Sequence, residues 1–399
     1  MTESRVGADD LAPRVRISAV MPCLNEARTL EQCIRKAQHC FACLGVTGEV
    51  VVADNGSTDE SVGIATRLGA RVVHQSLPGY GAALMLGIES ARGDYVVLAD
   101  ADDSYDWLGM KPFIDALDDG ADLVVGNRFR GGIGPGAMPP LHRYLGNPVL
   151  SWIARAIHHA PISDFHCGMR ALKRSSYESM GLATPGMEFA TEMIVNAVHA
   201  GLAIVEVPTT LVKDGRDRAP HLRSFRDGWR HLRFILTYAP DVLYFAPGGT
   251  LFLLGAALVA LLASGPVQFA GHYIGIHYLA LGCLLALVGF NIMNFGVLAK
   301  VIGRRFAPAR RSRVARWATG RFSLEGGLIG GVLLTLLGLG VDVHLLYTWL
   351  RSSGEPMEST VHLGFVATLV TVLGINLICG SFLLAVLVSE IGTRHRPQR

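Results

Sequence analysis

Charge is scarce in this sequence. Only 17% of its 399 residues are Asp, Glu, Lys or Arg, while 50% are hydrophobic, an oilier balance than soluble domains show. A membrane portion is therefore expected. The net charge is +3, too small an excess to mark a nucleic-acid partner, so where the positive charge sits matters more than its sum. Cysteine is sparse and odd in number: seven residues scattered through apolar stretches, which do not resemble the framework of a disulfide-rich secreted domain. Cys40 and Cys43 form a lone Cys-x-x-Cys that no second Cys or His pair answers, so they read as core packing rather than metal ligands. The run "RGGIGPGAMPP" (130–140) is followed by no Gly-Lys-Ser/Thr and is not a Walker loop. The opening stretch "MTESRVGADDLAPRVR" has no apolar core, so residues 1–15 read as a flexible N-terminus rather than a signal peptide.

What is present divides near residue 242. Before it, short apolar runs alternate with amphipathic ones: "RISAVMP", a helical pattern from about Glu26 to Cys43, "EVVVAD", a helix, "ARVVHQS", a helix, "YVVLAD", a helix, "DLVVGNRF". Such alternation reads as a mainly parallel sheet covered by helices. Ligands of these sheets bind beyond the carboxyl ends of the strands. Polar groups recur at those ends: Pro22 to Glu26, Asp54 to Ser57, Asp100 to Asp102, and Gly126 to Arg128.

After 242 come four long apolar segments, about 243–264, 273–299, 325–350 and 361–389. Each is long enough to cross a bilayer, at about 20 residues or more. The connection 300–321 is dense in Arg, whereas "SGPVQFAGH" and "RSSGEPMEST" carry almost no positive charge. The positive-inside rule therefore puts that loop, the N-terminal domain and the 392–399 tail on the cytoplasmic side of a cell membrane. Between the two parts, Leu222, Phe225, Trp229 and Leu232 fall at helical spacing, with Arg223, Arg226, Arg230 and Arg233 one residue on. That pattern predicts an amphipathic connector over 220–242, suited to the headgroup region.

The segment "YVVLADADDSYDW" (95–107) raises the chemical question, because a buried run ends in Asp100, Asp102, Asp103 and Asp106. Carboxylates packed at a strand end repel one another unless a cation neutralises them, and hard divalent cations such as Mg²⁺ or Mn²⁺ prefer oxygen ligands. Asp-x-Asp on an extended backbone puts two carboxylates near each other with the intervening side chain turned away. The competing reading is a solvated acidic loop, with Asp106 capping the helix that begins "WLGMKPF".

The ordered set "MPCLNEARTL", "VVADNGSTDES", "PGYGAALMLGIESARGDYVVLADAD", "DLVVGNRF" and "SDFHCGMRALKR" resembles glycosyltransferase family 2, over about residues 16–235. It looks most like the branch that charges polyprenyl phosphates with a sugar, the dolichyl-phosphate mannose synthases and bacterial polyprenyl-phosphate glucosyltransferases. The resemblance implies a GT-A α/β domain at 16–219, followed by an all-α transmembrane domain at 243–391. It implies transfer of a hexose from a UDP- or GDP-sugar to a polyprenyl phosphate, dependent on Mg²⁺ or Mn²⁺ and inverting. Partners would be the nucleotide sugar, the lipid phosphate and the membrane, with a homo-oligomer compatible and nucleic acid not.

Carried onto this sequence, the resemblance assigns Pro22, Leu24, Asn25 and Glu26 to the nucleotide pocket and Asp54 to the base or ribose. Asp100, Ala101 and Asp102 would handle the ribose and the metal-bridged diphosphate, with Asp100 and Asp102 as metal ligands. Arg128 and Arg143 would grip the acceptor phosphate. Asp164 and Arg170 match the family's Asp and Gly-x-Arg pattern, so Asp102, Arg128, Asp164 and Arg170 form the implied catalytic set. Arg218 and Arg223 stand roughly where family members place basic residues over the diphosphate. Leu24, Asn55, Met169 and "HLRS" depart from the usual Tyr, Asp, Phe and Ser-Lys, which blurs nucleotide and sugar choice. His166 and Cys167 adjoin the implied site without an assigned role.

The lipid phosphate is already anionic near neutral pH, so no perturbed general base is needed, and bidentate Arg suits a phosphate. The 130–140 run fits either a mobile loop closing over the site or a surface linker. A processive polysaccharide synthase shares the fold, but "RVARW" (313–317) carries Arg in place of Gln, and "TEM" (191–193) lacks an acidic pair. A transporter or flippase with a regulatory sugar-nucleotide domain is the other alternative, kept open by Asn291, Asp342, His344 and Asn376 within the spans.

Overall fold

The computed structural model describes residues 14–216, 224–269, 272–306, 317, 323–351 and 358–393. The chain separates into two compact units, Met1–Ile235 and Leu236–Arg399.

In the first unit, strands β1 (Ile17–Cys23), β2 (Gly48–Asp54), β3 (Arg71–His74) and β4 (Tyr95–Leu98) alternate with helices α1 (Leu30–Leu44), α2 (Ser61–Arg67) and α3 (Tyr80–Ser90). After β4 come a 3₁₀ turn (Trp107–Met110), α4 (Lys111–Asp118), β5 (Leu123–Asn127), the single turn α5 (Arg128–Gly131), α6 (Asn147–His158), β6 (Arg170–Lys173), α7 (Arg174–Met180), α8 (Phe189–Ala200) and β7 (Ile204–Pro208). The strands form one sheet in the order β3-β2-β1-β4-β6-β5-β7. All neighbours pair parallel except β6, which runs antiparallel to both β4 and β5. β1 and β5 are buried almost throughout, as strands covered on both faces must be, and this is why they read as continuous apolar runs.

Helix α1 shows how the covering layer forms. Leu30, Cys33, Ile34, Ala37, Cys40 and Phe41 make its buried stripe at the spacing of one helical face. Gly45 ends it with φ +63°, a left-handed conformation that only glycine adopts without strain. Cys40 lies in this stripe while Cys43 is exposed, so core packing accounts for the first thiol and not for the second. Strand order reverses between β1 and β4, which opens a crevice at the carboxyl ends of β1, β2 and β4.

Helix α9 (Ser224–Thr237) follows. His231, Phe234 and Ile235 are its buried face, while Arg226, Trp229, Arg230 and Arg233 are exposed. Trp229 of the apolar row read from the sequence thus faces outward with the arginines, and a row not singled out there turns inward. Leu222 and Arg223 lie outside the described residues.

The second unit contains a π-helical turn (Asp241–Phe245), α10 (Ala246–Leu262), a short antiparallel pair β8 (Val267–Phe269) and β9 (His272–Ile274), α11 (Ile276–Phe306), α12 (Leu324–Arg351) and α13 (Glu358–Thr393). Among the described residues, four stretches are long and apolar enough to cross a membrane: Asp241–Leu262, Ile276–Gly303, Leu324–Arg351 and Thr360–Val388. They overlap the four apolar segments of the sequence. Tyr273 and Ile274, counted there in the second span, belong instead to β9, where alternating polar and β-prone residues favour pairing. The long helices touch through small residues: a methyl group added at Gly255 would strike the backbone of Gly282 and Ala286, and one at Gly338 the backbone of Ala367 and Thr371. Close backbone approach of this kind is how membrane helices gain packing contact.

Candidate functional site

The loops after β1, β2 and β4 converge at the crevice. Asn25 follows β1 in a left-handed conformation, φ +59°, which Asn tolerates better than most residues. Its Oδ1 accepts from Thr58 N at 2.7 Å, and its own N–H donates to Ser57 Oγ at 2.9 Å, so Asn25 ties the β1 loop to the β2 loop. Glu26 beside it is buried, its backbone N–H donating to Ser61 Oγ at 2.8 Å. Pro22 is the penultimate residue of β1, and Leu24 is half-buried at the turn that follows.

Asp54 ends β2. Burial pushes its pKa up, but hydrogen bonds from Ser57 and from His74 outweigh that and hold it below the usual carboxylate value. Ser57 N reaches Asp54 Oδ1 at 3.0 Å, and His74 Nδ1 lies 3.2 Å from Oδ2. Asn55 donates to the carbonyls of Gln75 and Leu77 at 3.1 and 2.9 Å and accepts from Gly79 N at 2.7 Å. A carboxylate could not donate those two bonds, which accounts for the departure from Asp at this position.

The four aspartates after β4 divide by task. Asp106 caps the 3₁₀ turn, accepting from Leu108 N at 3.0 Å. Asp103, itself left-handed with φ +61°, accepts from Lys36 Nζ at 2.7 Å. That leaves Asp100 and Asp102, flanking the buried Ala101. Burial first, and then the charge of Asp102, push Asp100 up to about 7 against the pull of Tyr80 and Arg216. Asp102 Oδ1 accepts from Ser104 Oγ at 2.6 Å and Ser104 N at 3.0 Å.

Arg216, which the sequence reading passed over, completes this edge. Its Nη2 lies 2.9 Å from Asp102 Oδ2 and 3.1 Å from Glu26 Oε1, and its Nε donates to Glu26 Oε2 at 3.1 Å. The segment carrying it is held in place by Gly215 N on Asp102 O at 3.0 Å and Val212 N on Ser104 O at 2.9 Å. Arg218 and Arg223, the basic residues picked out by resemblance, lie outside the described residues.

A second charged centre stands at the end of β5. Arg128 is buried, and its Nε and Nη2 donate to the two oxygens of Asp164 at 2.8 and 2.7 Å, while its backbone N–H reaches Asp164 Oδ2 at 3.1 Å. Arg170 is also buried but donates to carbonyls: Cys167 at 2.9 Å, Phe165 at 2.8 Å and Ala190 at 2.5 Å. Its guanidinium therefore shapes the 164–170 loop. That loop joins the two centres, because a Cβ at Gly168 would stand 2.9 Å from Asp100 Oδ2, and Gly168 N donates to Tyr105 Oη at 2.8 Å. Arg143 sits in the π-helical turn His142–Gly146, half-buried, with its guanidinium 5.5 Å from the centre of the Tyr144 ring. The glycine-rich run is tied down at one end: Gly134 N donates to Leu211 O and Leu211 N to Gly132 O, at 2.8 and 2.9 Å. Glu192 of "TEM" accepts from Ala183 N and Thr184 and is structural.

The residues fit a hard divalent cation. Asp100 and Asp102 offer only oxygen, the ligand atom that hard divalent cations prefer. Among the described residues no three His, Cys, Asp or Glu side chains converge on a metal position, so any cation here takes the rest of its shell from bound phosphate or water.

A strand-end acidic pair thus stands at the switch point of a mainly parallel sheet, the place where such folds bind their ligands, in a chain whose described residues also include four helices apolar enough to cross a membrane. The family described as glycosyl transferase family 2 matches residues 18–181, and the glycosyltransferase family 2 C-terminal transmembrane region matches 297–388. The low-salt glycan biosynthesis hexosyltransferase Agl6 of Haloferax volcanii is 40% identical over 378 residues, covering 94% of this chain and 89% of that protein. A dolichyl-phosphate hexose transferase of the same organism is 34% identical over 160 residues, 40% of this chain and 68% of that one. Among solved structures, glucosyl-3-phosphoglycerate synthase from Mycobacterium tuberculosis, in complex with Mn²⁺, UDP and phosphoglyceric acid, has a TM-score of 0.44 and 23% identity over 56% of this chain and 76% of that one. The chain belongs to glycosyltransferase family 2. It is a glycosyltransferase with a GT-A-like domain and a membrane-spanning unit.

Proposed function

We propose that the protein moves a hexose from a nucleoside-diphosphate sugar to a polyprenyl phosphate, with inversion at the anomeric carbon and dependence on Mg²⁺ or Mn²⁺. The observation that carries this reading is the pairing of two centres by one loop: the Asp100/Asp102 edge and the buried Arg128–Asp164 pair meet at 164–170. One centre suits a metal-bridged diphosphate and the other a phosphate acceptor. Similarity to a dolichyl-phosphate hexose transferase supports the acceptor class.

Pro22, Leu24, Asn25, Glu26 and Asp54 line the nucleoside side of the crevice in this reading, and Arg216 stands where the diphosphate's charge would fall. Asp102 and Asp100 would hold a divalent cation, which would supply Lewis-acid stabilisation of the leaving diphosphate. Asp164 fixes the Arg128 fork by two parallel bonds, which orients it for bidentate recognition. Arg128 and Arg143 then hold the acceptor. One phosphate oxygen attacks the anomeric carbon as the bond from that carbon to the diphosphate oxygen breaks, and the electron pair leaves with the diphosphate. The attacking oxygen carries its own negative charge, so no side chain need remove a proton.

In this reading the α/β unit, the 300–321 connection and the C-terminal tail face the cytoplasm, as the arginine bias of the loops suggests by the positive-inside rule. Membranes containing the protein, incubated with a panel of labelled UDP- and GDP-sugars and extracted with organic solvent, test the reading. Label entering the solvent phase for one donor is the expected result; label left wholly in water for every donor contradicts it.

A further inference from the structure

Asp342 stands in the sequence as a charge inside an apolar span, and the chemistry above gives it no task. It lies on α12, whose helix ends at Arg351, about 13 Å further along the axis. That depth is within a hydrocarbon core about 30 Å thick, where an ionisable side chain calls for a partner. Asp342 lines a cleft of about 630 Å³ between α11, α12 and α13, whose walls include Leu284, Leu345, Trp349, Phe365 and Thr368. α11 begins, α12 ends and α13 begins around it, so the cleft belongs to the end of the unit away from Asp241, where the chain enters.

Two polar groups on these walls lack partners. Elsewhere in the spans, Thr335, Thr348, Thr371 and Ser381 return their hydroxyls to carbonyls one turn back on their own helices, at 2.7 to 3.0 Å. Among the described residues, neither the carboxylate of Asp342 nor the hydroxyl of Thr368 makes a hydrogen bond or ion pair. Thr368 is exposed and Asp342 half-buried, so a ligand has room beside both.

The walls narrow what that ligand is. A hydrocarbon chain would leave the carboxylate and the hydroxyl without partners in a medium that offers no water. A bare phosphate would bring a second negative charge up to Asp342. A hexose meets both demands, because its hydroxyls donate to carboxylate oxygens and its C–H faces lie on aromatic rings such as Trp349 and Phe365. The volume and the mostly apolar lining, broken by a few polar groups, are those of small-molecule sites. Trp349 and Phe365 are 44% and 38% exposed, so the cleft is open at its side, and a lipid can put its head there while its chain stays in the bilayer.

We propose that this cleft binds the hexosyl head of a prenyl-linked sugar, with Asp342 and Thr368 taking its hydroxyls. This rests on the reading of the reaction product as a hexosyl prenyl phosphate. The membrane unit then receives product as well as anchoring the chain.

The test uses the full-length protein in phosphatidylcholine nanodiscs. The probe is a hexosyl prenyl phosphate carrying a diazirine on its sugar, the hexose being the one that wild type transfers, and labelled peptides are read by mass spectrometry after irradiation. Label is expected on α12 between Asp342 and Trp349 and on α13 between Gly364 and Val372. It should fall about tenfold in Asp342→Leu, the factor carried by a hydrogen bond to a charged group, while the initial rate of transfer stays near wild type. Asp342→Asn, which keeps an acceptor oxygen, recovers part of the label. Unlabelled hexosyl prenyl phosphate displaces the probe, and prenyl phosphate at the same concentration does not. Label absent from α12 and α13, or unchanged in Asp342→Leu, overturns the inference. So does equal displacement by prenyl phosphate, which would make the cleft a site for the chain alone. Where Asp342→Leu melts below wild type, the competition on wild type decides. Wild type that forms no hexosyl lipid from any donor refutes the reaction reading and the cleft with it, whereas wild type that forms the lipid but leaves these helices unlabelled refutes only the cleft.

Discussion

At the scale of single residues, the site is organised by partners distant in sequence. Arg216 joins Glu26 to Asp102, and removing it takes a shared guanidinium away from both carboxylates. Breaking a buried pair from one side costs about 3–5 kcal/mol, so Arg216→Gln should lower the denaturant midpoint of the α/β unit by a corresponding amount. Mg²⁺ together with nucleotide sugar should recover more stability in the variant than in wild type, because added positive charge substitutes for the lost guanidinium. An unchanged midpoint without ligand would show that the bridge does not form in solution. The same distances explain what could be read in advance. Asp100 and Asp102 stood out because Asp-x-Asp at a strand end is a local pattern. Arg216 has no local pattern, and its partners come from two other loops of the sheet. Asp103 joined the same acidic run but belongs to Lys36 of α1, a pairing set only by how that helix packs.

At the scale of elements, the sheet is tied at its other end by Glu49. Its Oε1 accepts from Ser18 Oγ on β1 and from Arg92 N, both at 2.7 Å, and its Oε2 accepts from Arg71 Nη2 on β3 at 2.9 Å. Burial raises the Glu49 pKa, but the bonds from Ser18, the Arg92 backbone and Arg71 win, and the net value falls below 4.5. A depressed carboxylate adds stability that is fully present above its unfolded pKa and is lost as pH falls through the folded value. Glu49→Gln should therefore cost about 1–3 kcal/mol near pH 7 and flatten the acid limb of stability below about pH 4.5, measured by denaturant titration across pH. An acid limb identical to wild type would remove Glu49 from that role. In the membrane unit, the approach of α12 to α13 at Gly338 leaves no room for a side chain. Gly338→Val should lower the midpoint of the unit in detergent, overpacking costing about 1–3 kcal/mol, whereas the same change at Gly340, with nothing within 4 Å of its Cβ position, should have little effect. Equal effects at the two positions would contradict the packing. Apolar length alone revealed these helices; their facing glycine rows required knowing which helices touch. The inward face of α9 was hidden for a similar reason, since Trp229 and the arginines gave the stronger pattern while His231, Phe234 and Ile235 took the buried side.

For the molecule as a whole, the α/β unit carries the glycosyltransferase family 2 match, and the second unit holds, among the described residues, four helices long and apolar enough to cross a membrane. The β-α alternation, the switch-point crevice and the four spans were legible because each follows from hydrophobic period and length. Nucleotide, hexose and prenol identity depend on pocket shape and were not. In the proposed reaction two anionic phosphates meet at this crevice, one leaving with the nucleotide and one receiving the sugar. The most direct measurement uses the purified protein in vesicles containing polyprenyl phosphate and a radiolabelled nucleotide sugar, with and without divalent cation, beside vesicles containing the dephosphorylated prenol. The expected product is a single labelled lipid, β-linked through phosphate, that forms only with the phosphorylated prenol, disappears in excess chelator, and falls about a hundredfold or more in Asp102→Asn. Label appearing in a growing polysaccharide, or on the dephosphorylated prenol at equal rate, would contradict it.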